Sequence, residues 1–441
     1  MTKKLIWMTF MLLITTFFPV FVSAAGEDTG GSLQEQIDAL KKDFADMKSY
    51  YEQRIQDLER QVNELKAAGT AAPEQAEEAA PEEFTAAPYG ISPGGLSQTT
   101  NPDISVIGDF RLSYDQDGDK QFSLSEMELS LQGAVDPYSR ADFFTALHEH
   151  EGNIEAELEE GYITLLQPPR FLPLPRNTTL KFGKFLAAAG KTNRFHPHSL
   201  FYADRPLVLT NLFGHHGFAE AGVSLSTLIP NPADRYINFE FEVLNKFSEP
   251  HVHAHSETEE EHHEEEEVAA SQRSFRDWVY LGRLSTFHEF SDNSNLELGL
   301  TAATGKNPSS RLRTNIQGFD FTYRWKPLET ALYKAFTWQN EFFLAQKDTG
   351  ETTNKSFGWY SMGHWQLDRE WALGVRYDRS ELPDHPDNRD TGYSLFVNFL
   401  PTEFTRYTLQ YKHTDKNYAE DDDLFLFQIN FNIGTHGAHS F

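Results

Sequence analysis

Residues 319–326, FDFTYRWK, decide the fold of this chain. Aromatic side chains occupy every second position, and Asp320, Thr322, Arg324 and Lys326 occupy the positions between them. A period of two is typical of a β-strand with one apolar and one polar face. The same alternation recurs at residues 237–243, 371–378 and 407–412. These stretches predict a large antiparallel sheet whose second face carries charge.

The alternation runs from residue 104 to residue 433 and divides into sixteen predicted strands. We place them at 104–114, 122–134, 139–148, 155–166, 178–186, 217–227, 235–246, 276–288, 294–303, 314–325, 334–346, 355–366, 370–379, 391–400, 403–412 and 423–433. Connections after even-numbered strands are often short, whereas 187–216 and 247–275, after the fifth and seventh strands, are long. An even strand number with one short-turned and one long-looped rim is typical of an outer-membrane barrel.

A soluble β-sandwich also alternates, and three features favour a barrel instead. The charged face persists through strands of eight to twelve residues, which suits a watery lumen. Tryptophans lie toward strand ends, where an interfacial belt is expected, at Trp278, Trp325, Trp359, Trp365 and Trp371. The last strand is apolar at every second position from Phe425 to Ile433, and a terminal Phe441 follows, similar to the assembly signal of Gram-negative outer-membrane proteins. We therefore predict an all-β transmembrane barrel of 16 antiparallel strands over residues 101–441, in the bacterial outer membrane.

The first hundred residues divide by composition into four segments. Residues 1–24 combine two lysines, an apolar run and small residues, which predicts a signal peptide. After a short segment at 25–32, residues 33–66 carry apolar side chains in heptads with one four-residue insertion. This pattern predicts an α-helical coiled coil, which we place in the periplasm. Residues 67–100 are rich in Ala, Pro and Glu and predict a flexible linker.

Composition excludes several function classes. The chain has 66 acidic and 38 basic residues, a net charge of −28, which argues against a broad nucleic-acid-binding surface. The absence of cysteine excludes thiolate metal centres, disulfides and a cysteine nucleophile. A nucleophile elbow, a phosphate-binding glycine motif and the HExxH zinc motif are also absent from the sequence. We expect no enzyme, with a hydrolase whose triad is dispersed over distant strands as the alternative.

Three short motifs begin in the fifth predicted strand and extend through the connection after it. They are GKF at 183–185, GKTNRFHPH at 190–198 and DRPL at 204–207. Together with the order of signal, coiled coil, linker and strands, these motifs resemble the phosphate-selective porin O and P family. The resemblance implies a trimeric sixteen-stranded pore whose third external loop, here about 187–216, folds inward to form the constriction. The dense arginine series that a dedicated phosphate path needs is not found.

The predicted constriction residues are basic and histidine side chains of this region, namely Lys184, Lys191, Arg194, His196, His198 and Arg205. Between residues 181 and 205 the only acidic residue is Asp204, so we expect a mild anion preference at low salt. The expected function is passive diffusion of small hydrophilic solutes or ions. The alternatives are a metal-scavenging receptor and a structural tether between the outer membrane and the cell wall.

The connection after the seventh strand contains a His- and Glu-rich run at residues 251–267. Its histidines are His251, His253, His255, His262 and His263. Imidazoles at alternate positions beside carboxylates can bind Zn²⁺ or Ni²⁺ without a preformed scaffold. We expect external metal capture here, with a solvated acidic loop as the alternative.

We expect that the protein requires no cofactor. The expected partners are outer-membrane lipid, small solutes or ions, two further copies in a homotrimer, and the cell wall through the coiled coil.

Overall fold

A computed structural model describes residues 102–116, 120–150, 153–248, 277–307, 312–328, 330 and 334–434. The predicted signal peptide, coiled coil and linker, and the terminal Phe441, lie outside these residues. Because the N-terminal segments lie outside the described residues, the predictions for them stay predictions. Among the described residues, no helix is long and apolar enough to cross a membrane.

The described residues form sixteen strands and one short α-helix. The strands are β1 (Asp103–Asp115), β2 (Lys120–Asp136), β3 (Ser139–His150), β4 (Asn153–Leu165), β5 (Thr178–Leu186), β6 (Ala219–Leu228), β7 (Ile237–Leu244), β8 (Val279–Ser291), β9 (Ser294–Lys306), β10 (Arg313–Trp325), β11 (Ala335–Asp348), β12 (Thr353–Gln366), β13 (Trp371–Glu381), β14 (Arg389–Thr402), β15 (Thr405–Lys416) and β16 (Asp422–Gly434). Every predicted strand corresponds to one of these, with boundaries that differ by at most four residues. The period-two pattern was therefore sufficient to locate the strands.

The sheet closes on itself. Each strand pairs antiparallel with its neighbours in sequence, and β1 also pairs with β16, from Ser105 opposite Gly434 to Asp115 opposite Leu424. Closure leaves no unpaired sheet edge, which lets backbone N–H and C=O groups find partners within the wall when lipid surrounds it. The predicted barrel of 16 antiparallel strands is confirmed.

The two faces of the wall follow the alternation that the sequence predicts. In β10, Phe319 is 40% exposed on the outer face, whereas the neighbouring Asp320 is 1% exposed on the inner face. Leu300 of β9 and Leu344 of β11 continue the exposed apolar surface on either side of Phe319. A wall that is apolar outside and polar inside matches lipid on one side and a polar lumen on the other.

Four of the predicted belt tryptophans lie at or beside strand ends, namely Trp278, Trp325, Trp365 and Trp371. Trp359 contradicts the prediction, because it lies in the middle of β12. Its ring stacks on Phe342 of β11, with centroids 5.6 Å apart, and packs against Tyr377 of β13 at 5.1 Å. Aromatic packing between neighbouring strands therefore accounts for this position.

The connection between β5 and β6, residues 187–218, lies within the barrel, and we call it the inward loop. It contains two 3₁₀ turns, Thr192–Arg194 and Pro197–Ser199, and the helix α1, Leu207–Phe213. Its observed extent agrees with the predicted inward connection at 187–216. A loop of this length is rarely structureless in a compact domain, and here short helices and wall contacts order it.

An apolar core inside the barrel holds one side of the inward loop against the wall. Phe213 of α1 meets Phe343 of β11 edge to face, with ring centroids 6.2 Å apart. Tyr202 meets Phe396 of β14 at 5.9 Å. All four side chains are almost completely buried. The strands therefore contribute some apolar side chains to the inner face, at the positions that the inward loop covers.

Candidate functional site: the inward loop

Carboxylates on the inner face of the wall accept hydrogen bonds from the backbone of the inward loop. Glu341 of β11 accepts from the N–H groups of Lys191 at 2.9 Å and Thr192 at 2.8 Å. Glu242 of β7 accepts from the N–H of Ala188 at 3.0 Å. Buried backbone N–H groups are costly when unpaired, so these acceptors make it possible for the loop to lie inside the barrel.

Glu341 is also the centre of a buried side-chain network. The hydroxyl of Tyr360 donates to Glu341 Oε1 at 2.7 Å. The amide of Gln339 donates to the hydroxyl oxygens of Thr192 and Tyr360, both at 2.7 Å. The network joins β11 and β12 to the first turn of the inward loop.

Asp204 anchors the middle of the inward loop, shortly before α1. Its carboxylate accepts hydrogen bonds from Arg376 of β13, from Lys412 of β15 at 2.7 Å and from Gln410 of β15. Burial alone would raise the pKa of Asp204, but the charges of Arg376 and Lys412 hold that pKa well below its usual range. The carboxylate is therefore ionised at neutral pH.

The basic residues of the predicted constriction lie against acidic or carbonyl oxygens. Lys191 forms an ion pair with Glu297 of β9 and is 6% exposed. Arg194 pairs with Glu240 of β7 at 3.3 Å. These contacts lower the field that each cation exerts on the surrounding space.

The remaining two predicted basic residues lie in different surroundings. Arg205 is buried and donates to the backbone carbonyl of Phe195 at 2.9 Å. Lys184 belongs to β5 rather than to the inward loop, and its ammonium group pairs with Glu157 at 3.1 Å. Lys184 is therefore the one predicted constriction residue that is part of a wall strand.

The structure brings His196 and His198 together, with stacked rings whose centroids are 5.6 Å apart. His196 lies between Glu159 and Glu160 of β4, at 3.0 Å from Nδ1 and 2.8 Å from Nε2 respectively. Burial would lower the pKa of His196, but its hydrogen bonds with these carboxylates raise that pKa well above its ordinary value. His198 Nδ1 lies 3.2 Å from Glu126 of β2.

Sequence analysis missed the wall carboxylates that hold the inward loop, which include Glu126, Glu128, Glu159, Glu160, Glu240, Glu242, Glu297 and Glu341. Most of them were visible as acidic residues on the polar face of a predicted strand. Which loop residue each one meets depends on the closure of the barrel, because partners such as Lys191 and Glu341 are 150 positions apart.

Charged side chains on the inner face of the wall and on the inward loop are partly accessible to solvent. The side chain of Arg140 is 42% exposed and that of Arg194 is 39% exposed. Arg324 and Glu297 also retain part of their exposure although they pair with each other. The barrel therefore contains polar space beside the inward loop.

The predicted metal ligands His251, His253, His255, His262 and His263 lie outside the described residues, so their grouping stays a prediction.

Comparison with known proteins agrees with this architecture. The family model described as phosphate-selective porin O and P matches residues 287–432, which run from the end of β8 into β16. The closed barrel and this match, which covers part of the chain, indicate the class of the protein, a bacterial outer-membrane β-barrel protein that is similar to porins. Within this class, the resemblance to the phosphate-selective porin O and P family is confirmed.

The chain is also similar to individual proteins, at low sequence identity. An uncharacterized protein of Aquifex aeolicus (strain VF5) is 29% identical over 354 residues, covering 73% of this chain and 70% of the relative. An anion-selective porin from Comamonas acidovorans has a similar fold, with a TM-score of 0.50, 10% identity, and coverage of 75% of this chain and 98% of that chain. The trimer form of OmpT from Vibrio cholerae aligns with a TM-score of 0.48 and 10% identity, over 75% of this chain and 98% of that chain.

Proposed function

We propose that this protein is an outer-membrane porin through which small hydrophilic solutes or ions diffuse passively. The observation that carries this proposal is the inward loop, which lies inside a closed barrel and hydrogen-bonds to inner-face side chains from β4, β7, β11, β13 and β15. A loop fixed across a polar lumen restricts its width and places fixed charges along it, which is how a diffusion pore selects solutes.

The selectivity that we propose is a weak anion preference. Lys191, Arg194 and Arg205 all belong to the inward loop, but Lys191 and Arg194 are paired with carboxylates and Arg205 is buried. Arg194 retains the most exposure and therefore contributes most of the preference. Phosphate is not proposed as the specific substrate, because the paired cations leave few charges for a phosphate path.

Conductance of the full-length protein in planar lipid bilayers tests the proposal. A porin gives ohmic current steps, and Glu341→Gln, which weakens the anchor of the inward loop, should change step size or noise. The matched control is Glu351→Gln in the exposed turn between β11 and β12, which should behave as the parent. A correctly folded, inserted barrel that passes no current would overturn the proposal and favour a receptor or a tether.

A second proposed activity is capture of divalent metal by the run at 251–267. Its support is the spacing of the five histidines among carboxylates, which suits Zn²⁺ or Ni²⁺. Replacing His251, His253, His255, His262 and His263 together by Ala should remove most of the metal bound in calorimetry and leave insertion unchanged. Equal binding by parent and variant would contradict metal capture and favour a solvated acidic loop.

We also propose that the chain forms a homotrimer in the outer membrane, assisted by the periplasmic coiled coil at 33–66. The apolar heptad stripe supports this assignment, because a single helix cannot bury it. Deleting residues 25–66 should leave an inserted barrel whose subunits associate more weakly. A monomeric mass for both forms in native mass spectrometry would contradict the trimer. Contact of the coiled coil with the cell wall is a further hypothesis. Co-sedimentation of the full-length protein with peptidoglycan tests it.

A further inference from the structure

Histidine and carboxylate side chains form three adjoining groups inside one side of the barrel. In each group the potential ligand atoms lie within 4.8 Å of one another. We call them the outer triad (His148, Glu157, His216), the inner triad (Glu128, Glu159, His196) and the deep triad (Glu126, Glu128, His198). These triads combine β2, β3 and β4 with the inward loop.

The triads connect to one another and become more buried along their order. Glu157 and His216 of the outer triad are exposed, near the rim at which β3 ends and β4 begins. His148 Nε2 lies 3.9 Å from Glu159 of the inner triad. The inner and deep triads share Glu128, which is 1% exposed. A continuous series of ligand groups therefore leads from the exposed rim to a buried centre.

The inner triad has the geometry of a histidine ligand with an outer partner. His196 Nδ1 lies 3.0 Å from Glu159 and 3.2 Å from Glu128, while its Nε2 lies 2.8 Å from Glu160. Metal-bound histidines usually donate their second ring N–H to a carboxylate, which fixes the ring and its tautomer. Glu160 is suited to that role, and it is itself held by the N–H of Leu186 at 2.8 Å.

The surroundings of the buried Glu128 side chain point to a bound cation. Neither of its side-chain oxygens has a hydrogen-bond partner among the described residues, although Oε2 lies 3.2 Å from the His196 ring nitrogen. A buried carboxylate without hydrogen bonds is costly. The buried Arg205 donates to the carbonyl of Phe195 and does not hydrogen-bond to Glu128. A divalent ion between Glu128 and Glu159 would give the Glu128 oxygens the direct ligand contact that the nearby His196 ring does not provide.

His148 is suited to deliver such an ion. Its Nδ1 lies 3.1 Å from the carbonyl oxygen of Ser125, and a carbonyl can only accept. Nδ1 therefore carries the proton in the neutral ring, and the lone pair lies on Nε2. Nε2 is buried without a hydrogen-bond partner in the described part of the chain and faces Glu159.

We propose that the inner triad binds one divalent transition-metal ion through His196 Nδ1, Glu128 and Glu159, and that the outer triad is its access route. Imidazole with two carboxylates suits Zn²⁺, whose sites of this composition keep a further position for water or another ligand. His196 lies on the inward loop, whereas Glu128 and Glu159 lie on β2 and β4. The ion therefore cross-links the inward loop to the wall, whether or not the barrel conducts.

The test must separate this site from the His-rich run at 251–267. The full-length protein with all five histidines of that run replaced by Ala serves as the background. Calorimetry and elemental analysis with Zn²⁺ should find one bound ion per chain in this background. His196→Gln should abolish that binding, and Glu160→Gln should weaken it about ten-fold, as expected for an outer partner of a ligating histidine. His216→Gln should slow association more than it weakens equilibrium binding.

The matched control is His364→Gln. His364 of β12 is also buried in the barrel and stacks on Phe201 of the inward loop with ring centroids 4.1 Å apart, but it belongs to none of the triads. This variant should bind Zn²⁺ as the background does. Cobalt substitution gives a second readout, because visible absorption of bound Co²⁺ reports nitrogen and oxygen ligands directly.

Two results would overturn the proposal. One is a background protein that binds no Zn²⁺, and the other is binding that His196→Gln leaves unchanged. Either result would mean that the triads only hold the inward loop by ion pairs. Folding of each variant is checked by circular dichroism and by the heat-dependent gel shift of folded barrels. If His196→Gln fails to fold, Glu159→Gln at the partly exposed ligand carries the same test.

Discussion

Both side-chain oxygens of Asp204 lie 3.0 Å from Nη2 of Arg376, which joins the inward loop to β13. Arg376 in turn donates to Asp378 on the same strand at 2.7 Å. The guanidinium is fully buried, so both carboxylates are needed to satisfy it. The part of the inward loop before α1 is thus held by charge, whereas α1 itself is held by apolar packing.

The first prediction concerns Asp204→Asn. Removing this charge leaves Arg376 and Lys412 with one fewer buried partner, so docking of the loop segment before α1 should weaken by about 3 kcal/mol, as expected for a broken buried ion pair. Hydrogen exchange of residues 200–207, followed by mass spectrometry, measures the effect. Glu351→Gln in an exposed turn should leave exchange unchanged, and equal protection in both variants would contradict the role of Asp204.

The second prediction is the acid dependence of the same anchor. The pKa of Asp204 is lowered in the folded state by Arg376 and Lys412, so this contact contributes stability above the ordinary aspartate pKa, about 3.9. Its contribution should be lost as the pH falls through the lowered folded pKa. Protection of residues 200–207 against hydrogen exchange should therefore be constant from about pH 7 to 5 and decline below about pH 4. If Asp204→Asn shows the same acid decline, another group is responsible.

The third prediction ranks the cations of the inward loop. Replacing Lys191, Arg194 and Arg205 together by Glu should shift the reversal potential in a salt gradient toward cations. Among the single variants, Arg194→Glu should give the largest shift without loss of folded protein, because its side chain is 39% exposed whereas Lys191 and Arg205 are each 6% exposed. A parent channel that is already strongly cation-selective would show that these side chains do not face the solute path.

The fourth prediction concerns Glu341, which accepts hydrogen bonds from two loop N–H groups and from Tyr360. Glu341→Ala leaves these buried donors unsatisfied, at a cost of about 1–3 kcal/mol for each donor. The variant should unfold at lower temperature and show larger current fluctuations. Glu341→Gln retains one acceptor oxygen and should show an intermediate effect. The idea fails if the Ala variant matches the parent in both measurements.

The fifth prediction compares two glycines of neighbouring strands. A Cβ added to Gly374 of β13 would collide with the buried ring of Phe396, whereas one added to Gly363 of β12 would meet other atoms only at 3.8 Å and beyond. Gly374→Ala should lower the free energy of unfolding by about 1–3 kcal/mol, as overpacking usually does. Gly363→Ala should have little effect. Urea titration of the barrel in lipid vesicles, followed by tryptophan fluorescence, distinguishes the two variants.

The deep position of His196 and His198 was only partly predictable. Their sequence neighbourhood assigned them to the inward connection, and the structure places them there. Their partners Glu126, Glu159 and Glu160 come from β2 and β4, at least 36 positions away. No local pattern specifies which carboxylates surround a loop once it enters the lumen.

The sequence by itself determined the strands, their number and the two faces of the wall, because alternation is a local property that each strand carries on its own. It also determined that the connection after β5 is long and basic. Only the tertiary structure decided what that connection meets. Closing β1 on β16 brings carboxylates from distant strands around the loop, so the cations that appear unopposed along the chain, such as Lys191, are paired in space. Charge balance inside a barrel depends on closure, which no single stretch of sequence encodes.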